Sequence, residues 1–346
     1  MRPVSFHLLA LCLVLAGWLH PPPARADTLY VGETVMAADE AVTDAALARA
    51  LDEVLMRLSG QDPELLRAHI GAVTPNVRAL LLSHHRVRVP ALGRDGAEIE
   101  QLRLRAEFDP QAVDRLLREH QIPRWGRERP DILLWASIEV DRQAQILDWP
   151  ALEWKLNDLA RRHGLELLRP LGDALDMAEV SVADIRGGFL DSTLAGLERY
   201  RADLPLMLDL RQRDEYWTGR WLWRLDGQDH GFELSADDAF EAIEIGMSRM
   251  AAALASRFAV RLAEQGQWQR LVITGLRHPV QYAELIAHLE RLDGVEQLRL
   301  LRADGERLYL DLLVIAANLD DVIGLGGLLV FEGRDAGGGQ VYRLAR

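Results

Sequence analysis

The sequence of 346 residues contains one cysteine, Cys12, and a single lysine, Lys155, among its 40 basic residues. Cys12 sits in a leader-like apolar stretch, so the chain beyond it has no thiol. Disulfides, cysteine metal sites and thiol nucleophiles are excluded together. Leu11 stands before Cys12 where a lipidation site wants a small residue, so no lipoprotein is read. The near-absence of lysine reflects genomic base composition rather than function. Catalytic signatures are missing as well. H-E-x-x-H, G-x-S-x-G, G-x-x-x-x-G-K-[ST] and G-x-G-x-x-G do not occur, and His84, His85, His163, His230, His278 and His288 are scattered without ligand spacing. No metal and no cofactor is therefore expected. The glycines of "GLGGLL" (324–329) follow an apparent helix, not a strand, and read as a helix end. Acid pairs such as Asp237-Asp238 and Asp320-Asp321 read as helix caps. A glycosidase pair must face across a sugar, a spacing that sequence does not show.

What is present begins with a leader. Arg2 precedes an apolar run over 6–19, then Pro21-Pro22-Pro23 and the small-x-small site Ala24-Arg25-Ala26. The run falls short of the roughly 20 residues of a membrane helix, so a cleavable signal peptide over 1–26 is expected, cut after Ala26, with an uncleaved anchor as the alternative. The expected destination is the periplasm, with no membrane span in the mature chain. Cleavage removes Arg2 and Arg25, leaving 38 basic against 53 acidic residues and moving the formal charge from -13 to -15. Such a balance repels nucleic acid, and no Lys/Arg block overrides it.

Beyond the leader, the patterns predict an α/β (α+β) protein of several small α/β sandwich domains. Residues 27–121 read as strand, helix, two strands, helix. Ala41, Ala45, Ala48, Leu51, Leu55 and Leu58 recur at helical spacing before Gly60, and Asp109-Pro110 opens the last helix. Residues 122–130 form a linker. In 131–264, "DILLWASIEV" is apolar on both sides and marks a central strand. It is followed by a helix ending at Gly164, the hairpin "EYWTGRWLWRLDGQDHGFEL" and a long helix capped by Ser235, with the helices set against one sheet face. Residues 265–346 read as a ferredoxin-like βαββαβ unit, with a helix over "NLDDVIGLGGLL" and a last strand at "QVYRLA".

The stretches "VLMRLSG", "RLRAEFDPQAVDRLLREHQIPRWGRERPDILLWASIE" and "YRADLPLMLDLRQRDEYWTGRWLWRL" resemble the bacterial domain-of-unknown-function family 2066 (DUF2066) over about 27–260. The resemblance implies a Gram-negative envelope protein and carries no catalytic residues with it. The element order of the second segment is also similar to the small α/β domains of envelope accessory proteins of the TolB N-terminal and CsgG types.

Two places concentrate chemistry. The linker "IPRWGRERP" places Arg124, Arg127 and Arg129 around Trp125. The three guanidiniums suit a phosphate or carboxylate, with Trp125 as a stacking platform, but Glu128 would partly neutralise an anion site; a clamp joining two domains is therefore the favoured reading, with the anion site as the alternative. In "YWTGRWLWRL", strand alternation puts Trp221 and Trp223 on one face. Exposed, they would stack sugars or anchor a partner; buried, they are core. The expected function is non-catalytic: a protein-binding or accessory module in envelope assembly or maintenance, with an envelope protein as partner. The alternative is a binder of, or enzyme on, cell-wall glycan or lipid headgroups, using the Trp hairpin and the Arg linker.

Overall fold

The computed structural model describes residues 28–71, 76–127, 129–316, 323, 328–335 and 337–345. The leader, Glu128, Asp320-Asp321 and most of the helix expected over 318–329 lie outside the described residues. The fold is α+β, with three sheets.

The first sheet has the order β1-β3-β2, from β1 (Val31–Val35), β2 (Leu81–Leu92) and β3 (Glu98–Phe108). The helices around it are α1 (Asp44–Ser59), α2 (Pro63–Ile70), α3 (Val77–Leu80) and α4 (Pro110–Glu119). Helix α1 starts where the Thr43 hydroxyl accepts from Ala46 N, and it ends at Gly60, whose φ of +68° suits a residue without a β-carbon. Its Ala46, Leu47, Ala50, Val54 and Leu58 form the core with Leu104, Ala106 and Phe108 of β3. β1 pairs with β3 only from Arg103 to Glu107, whereas β2 and β3 stay paired out to Leu92 and Glu98. The excess length projects as a two-stranded arm. At its tip Arg94 pairs with Asp238 and lies 5.1 Å over the Phe240 ring, so the arm reaches across the second unit.

The second sheet runs β5-β4-β7-β8-β9, with β6 beside β4. Its strands are β4 (Asp131–Val140), β5 (Gln143–Ile146), β6 (Glu166–Leu168), β7 (Leu204–Gln212), β8 (Trp217–Leu225) and β9 (Gln228–Ala236). The sequence reading missed β5, which returns along β4 through Asp141 and Arg142 at φ of 50° and 64°. Helices α5 (Pro150–His163) and α9 (Ala239–Phe258) cover one face. Helices are not confined to that face, as had been expected. Leu133, Trp135 and Met207 point the other way and are covered by the short α6 (Ala174–Glu179), α7 (Val182–Gly187) and α8 (Leu194–Tyr200). A strand apolar on both sides needs two covers, and β4 is buried along its length. Ser235 is not the cap of α9. It pairs with Thr218 in β9, and the Asp238 carboxylate caps the helix by accepting from Glu241 N.

Helix α9 lies close on the sheet because small residues face it. A β-carbon on Gly246 would fall 2.1 Å from Trp221 Cε2. Gly246→Ala is therefore expected to lower stability by about 1–3 kcal/mol, as overpacked cores do. A urea melt checks it, and an unchanged midpoint would refute this account of the helix–sheet contact.

The third sheet has the order β11-β12-β10-β14-β13: β10 (Leu262–Thr274), β11 (Val295–Asp304), β12 (Arg307–Ala316), β13 (Leu329–Arg334) and β14 (Gln340–Leu344), with α10 (Pro279–Arg291) on one face. β12 lies between β10 and β11 and antiparallel to both, the interleaving expected of a split βαβ unit. One strand was not foreseen. β13 shares only Leu329 with the expected helix and otherwise fills the stretch left without an element before the last strand, and β14 inserts between it and β10, parallel to β10.

Candidate functional site

The linker is built into three units at once. Its backbone is captured first: Arg124 N–H donates to Val260 O and Val260 N–H to Arg124 O, both at 2.8 Å, and Trp125 N–H donates to Leu58 O at 2.6 Å. Trp125 is 1% exposed, with its ring centroid 6.1 Å from that of Phe258 at the end of α9. The Arg129 guanidinium stacks 4.2 Å over the indole and donates to four carbonyls: Gly126, His163, Arg57 and Trp125, at 2.7–2.8 Å. Burial pulls its pKa down to about 9, still above neutrality, so the group stays charged among carbonyl dipoles. Arg124 pairs with Asp114 of α4 and, at 2.6 Å, with Asp293 of the third unit, while the Tyr30 hydroxyl donates to Asp114 at 2.7 Å. Burial works against the Arg124 charge, but Asp293 and Asp114 outweigh it and raise its pKa. A β-carbon on Gly126 would lie 1.7 Å from an Asp293 carboxylate oxygen, so only glycine admits this approach.

The expected site residues thus separate. Arg124, Trp125 and Arg129 are brought together as a clamp, in which Arg124 Nε is the one guanidinium nitrogen of the two arginines without a partner among the described residues, and it is buried. Trp221 and Trp223 are 0% and 4% exposed. They pack against α9 and Phe232, so neither ring is open to a sugar or a partner. The physical reason is the small-residue face of α9, which closes over that side of the sheet. Arg127 alone is exposed, and it has no hydrogen bond or ion pair among the described residues.

Arg127 stands at the edge of two cavities. The larger, about 590 Å³, lies between the β2–β3 arm and α5. Its wall carries Arg57, Arg103, Arg105, Arg127, Arg129 and Arg161 against Glu33, Asp131, Asp158 and Glu166, an excess of guanidinium in a chain of formal charge -13. Most of these cations are already engaged. Arg103 pairs with Glu33 at 3.2 Å and Asp158 at 3.1 Å, and Arg161 with Asp158 at 3.0 Å. Burial opposes the Asp158 charge, yet Arg103 and Arg161 hold its carboxyl below the usual range. Arg105 reaches Glu33 only at 3.6 Å, so it and Arg127 keep donor capacity toward the cavity, with the half-buried Trp154 on the wall. The second cavity, about 510 Å³, lies between α4 and the third unit and is lined by Arg115, Arg118 and Arg124 together with Asp114 and Asp293. Among the described residues, no group of three or more His, Cys, Asp or Glu is placed to hold a metal ion.

Sequence reasoning missed Arg57, Arg103, Asp158 and Arg161, which come from one helix, one strand and a second helix. The pair Glu53 and Arg57, spaced i,i+4, reads as an ordinary surface pair, yet both are 4% exposed.

His163 supplies a pH test of this seam. It is 5% exposed, and burial first, then Arg162, Arg129 and Arg57, lower its pKa from 6.5 to about 4. The unfolded chain therefore binds this proton more readily than the folded one. Stability from this group is complete above pH 6.5, falls by about 3 kcal/mol as pH drops from 6.5 to 4, and is level below. His163→Gln should flatten that interval in a series of urea melts. An unchanged slope in the variant would show that other groups govern it.

Comparison with known proteins corrects the family reading. The family model that matches is the domain of unknown function DUF8605, over residues 24–126. It is a different domain from family 2066, so the resemblance read over 27–260 does not hold. No curated protein matches the chain. Among solved structures, the Thermus thermophilus Protein Y N-terminal domain is 19% identical, with 22% of this chain and 87% of that chain covered at a TM-score of 0.16. An uncharacterized protein is 14% identical, with 37% and 95% covered at a TM-score of 0.14. Neither carries an argument about fold or activity. No described helix is long and apolar enough to cross a membrane.

Proposed function

We propose that this chain is a non-catalytic binding and accessory protein of the bacterial envelope, exported to the periplasm, that holds an anionic group of its ligand at the seam between its first and second sheets. One observation carries the reading: Arg127 is exposed and uncompensated at the edge of a 590 Å³ cavity whose wall holds more guanidinium than carboxylate. A guanidinium fork free of its own acid is matched to carboxylate or phosphate. The buried ion pairs behind it fix the wall, so binding needs little rearrangement. Export rests on the leader pattern at 1–26. Cell-wall peptides with free carboxylates and lipid phosphates share the required chemistry.

The test is isothermal titration of residues 27–346 with inorganic phosphate, glycerol phosphate and a muramyl peptide, followed in parallel by the fluorescence change that a Trp154→Phe variant loses. Saturable binding by one of them, weakened tenfold or more by Arg127→Ala, is expected; that factor corresponds to about 1.4 kcal/mol. Absence of heat with all three, or affinity indifferent to Arg127, would sink the proposal.

A further inference from the structure

The outer face of the third sheet is a second surface with its own chemistry. Helix α10 covers the inner face, and Ile323 joins the same core, its carbonyl 3.4 Å from His288 Nε2 on that helix. The crossover after β12 therefore touches the helix side at Ile323, and α4 meets β10 near its Leu262 end, where both line the second cavity. Register and alternation put Trp268, Arg270, Arg299, Arg302, Arg307 and Tyr309 on that outer face. Trp268 is 43% exposed.

The guanidiniums are arranged rather than scattered. Arg299 lies 4.0 Å over the Trp268 ring and Arg302 4.3 Å over the Tyr309 ring. Each guanidinium is held against a ring, and Arg299 Nη2 also donates to Gln297 Oε1 at 3.5 Å. Arg270 is satisfied by Asp311 at 2.9 Å, but Arg299 and Arg307 have no acidic partner among the described residues, and Arg302 has only Asp304 at 3.9 Å. Two of these residues belong to β11, the ten-residue edge strand of the sheet. On its other side β11 presents Leu298, partly buried, and Leu300, 48% exposed, with Leu301 at the bulge between them and Arg302.

We infer that β11 and the adjoining outer face dock an extended acidic polypeptide segment in which carboxylates alternate with apolar residues. A strand added to an edge places alternate side chains on opposite faces. Its carboxylates then meet Arg299 and Arg302, and its apolar residues extend the core beside Leu298 and Leu300. A second copy of this strand is the wrong occupant, because antiparallel self-pairing sets arginine against arginine. Nucleic acid is disfavoured for two reasons: the ring faces that would stack bases are already covered by guanidinium, and the chain as a whole carries -13.

The experiment is fluorescence anisotropy on residues 27–346 with three labelled probes: a ten-residue Glu-Val alternating peptide, its Lys-Val counterpart, and a ten-nucleotide oligothymidylate. The Glu-Val peptide is expected to bind saturably and to lose at least tenfold in affinity in the double variant Arg299→Gln, Arg302→Gln. Both side chains are exposed, and an unchanged melting temperature confirms the fold. Arg127→Ala should leave peptide binding intact, which separates this surface from the seam cavity. Lack of Glu-Val binding, or equal affinity for Lys-Val, overturns the assignment. Tighter binding of the oligonucleotide overturns it in favour of nucleic acid.

Discussion

Trp221→Ala is expected to destabilise the protein by about 3–5 kcal/mol, as large-to-small changes at a fully buried aromatic do. Trp221 is 0% exposed, stacks on Phe232 with centroids 6.2 Å apart, and touches the bare backbone of α9 at Gly246. A helix held by that contact and by β-strand neighbours on both sides has little room to collapse into the void. The cost therefore includes a cavity term as well as lost transfer free energy. Urea unfolding, with the slope compared between variants, reads the effect. A loss under about 2 kcal/mol would show that α9 settles into the space, and that the indole is less central than its burial suggests.

The second large effect is expected at Arg57, at a cost of about 3–5 kcal/mol for Arg57→Met. Its guanidinium donates to the carbonyls of Thr28, Leu29, Val31 and Arg162, and pairs with Glu53 at 2.6 Å. Removing it takes a donor from each of those carbonyls and leaves a carboxylate whose own pKa burial already raises, despite Arg162 at 3.3 Å. Most of the loss is thus a penalty on what remains rather than the worth of the pair. A double variant, Arg57→Met with Glu53→Gln, should recover 1 kcal/mol or more relative to the single change, because it takes away the buried charge. Strictly additive losses would contradict that reading.

Both positions show what local pattern conveys and what it does not. The α1 helix, its stop at Gly60 and the Asp109-Pro110 start were legible, because capping and period act within a few residues. So was the alternation that puts Trp221 and Trp223 on one side of β8, but which way that side faces depends on α9, more than ten residues further on. Helices had been expected on one face of the second sheet only, although the two-sided apolarity of β4 calls for two covers; the helix near "DSTLAGLERY" was legible, whereas the six-residue α6 and α7 gave too weak a periodic signal to be read.

The linker is the clearest division. Sequence alone determined that three arginines and a tryptophan would gather where two units join, and it favoured the clamp while keeping the anion site as the alternative. Tertiary structure decided between them residue by residue. Arg124 found Asp114 and Asp293, and Arg129 found four carbonyls, while Arg127 found neither and faces a cavity. Composition sets the supply of charge and the local period sets each element. Which cation is neutralised depends on acids and carbonyls tens to hundreds of residues away, whose positions exist only once the three sheets have packed.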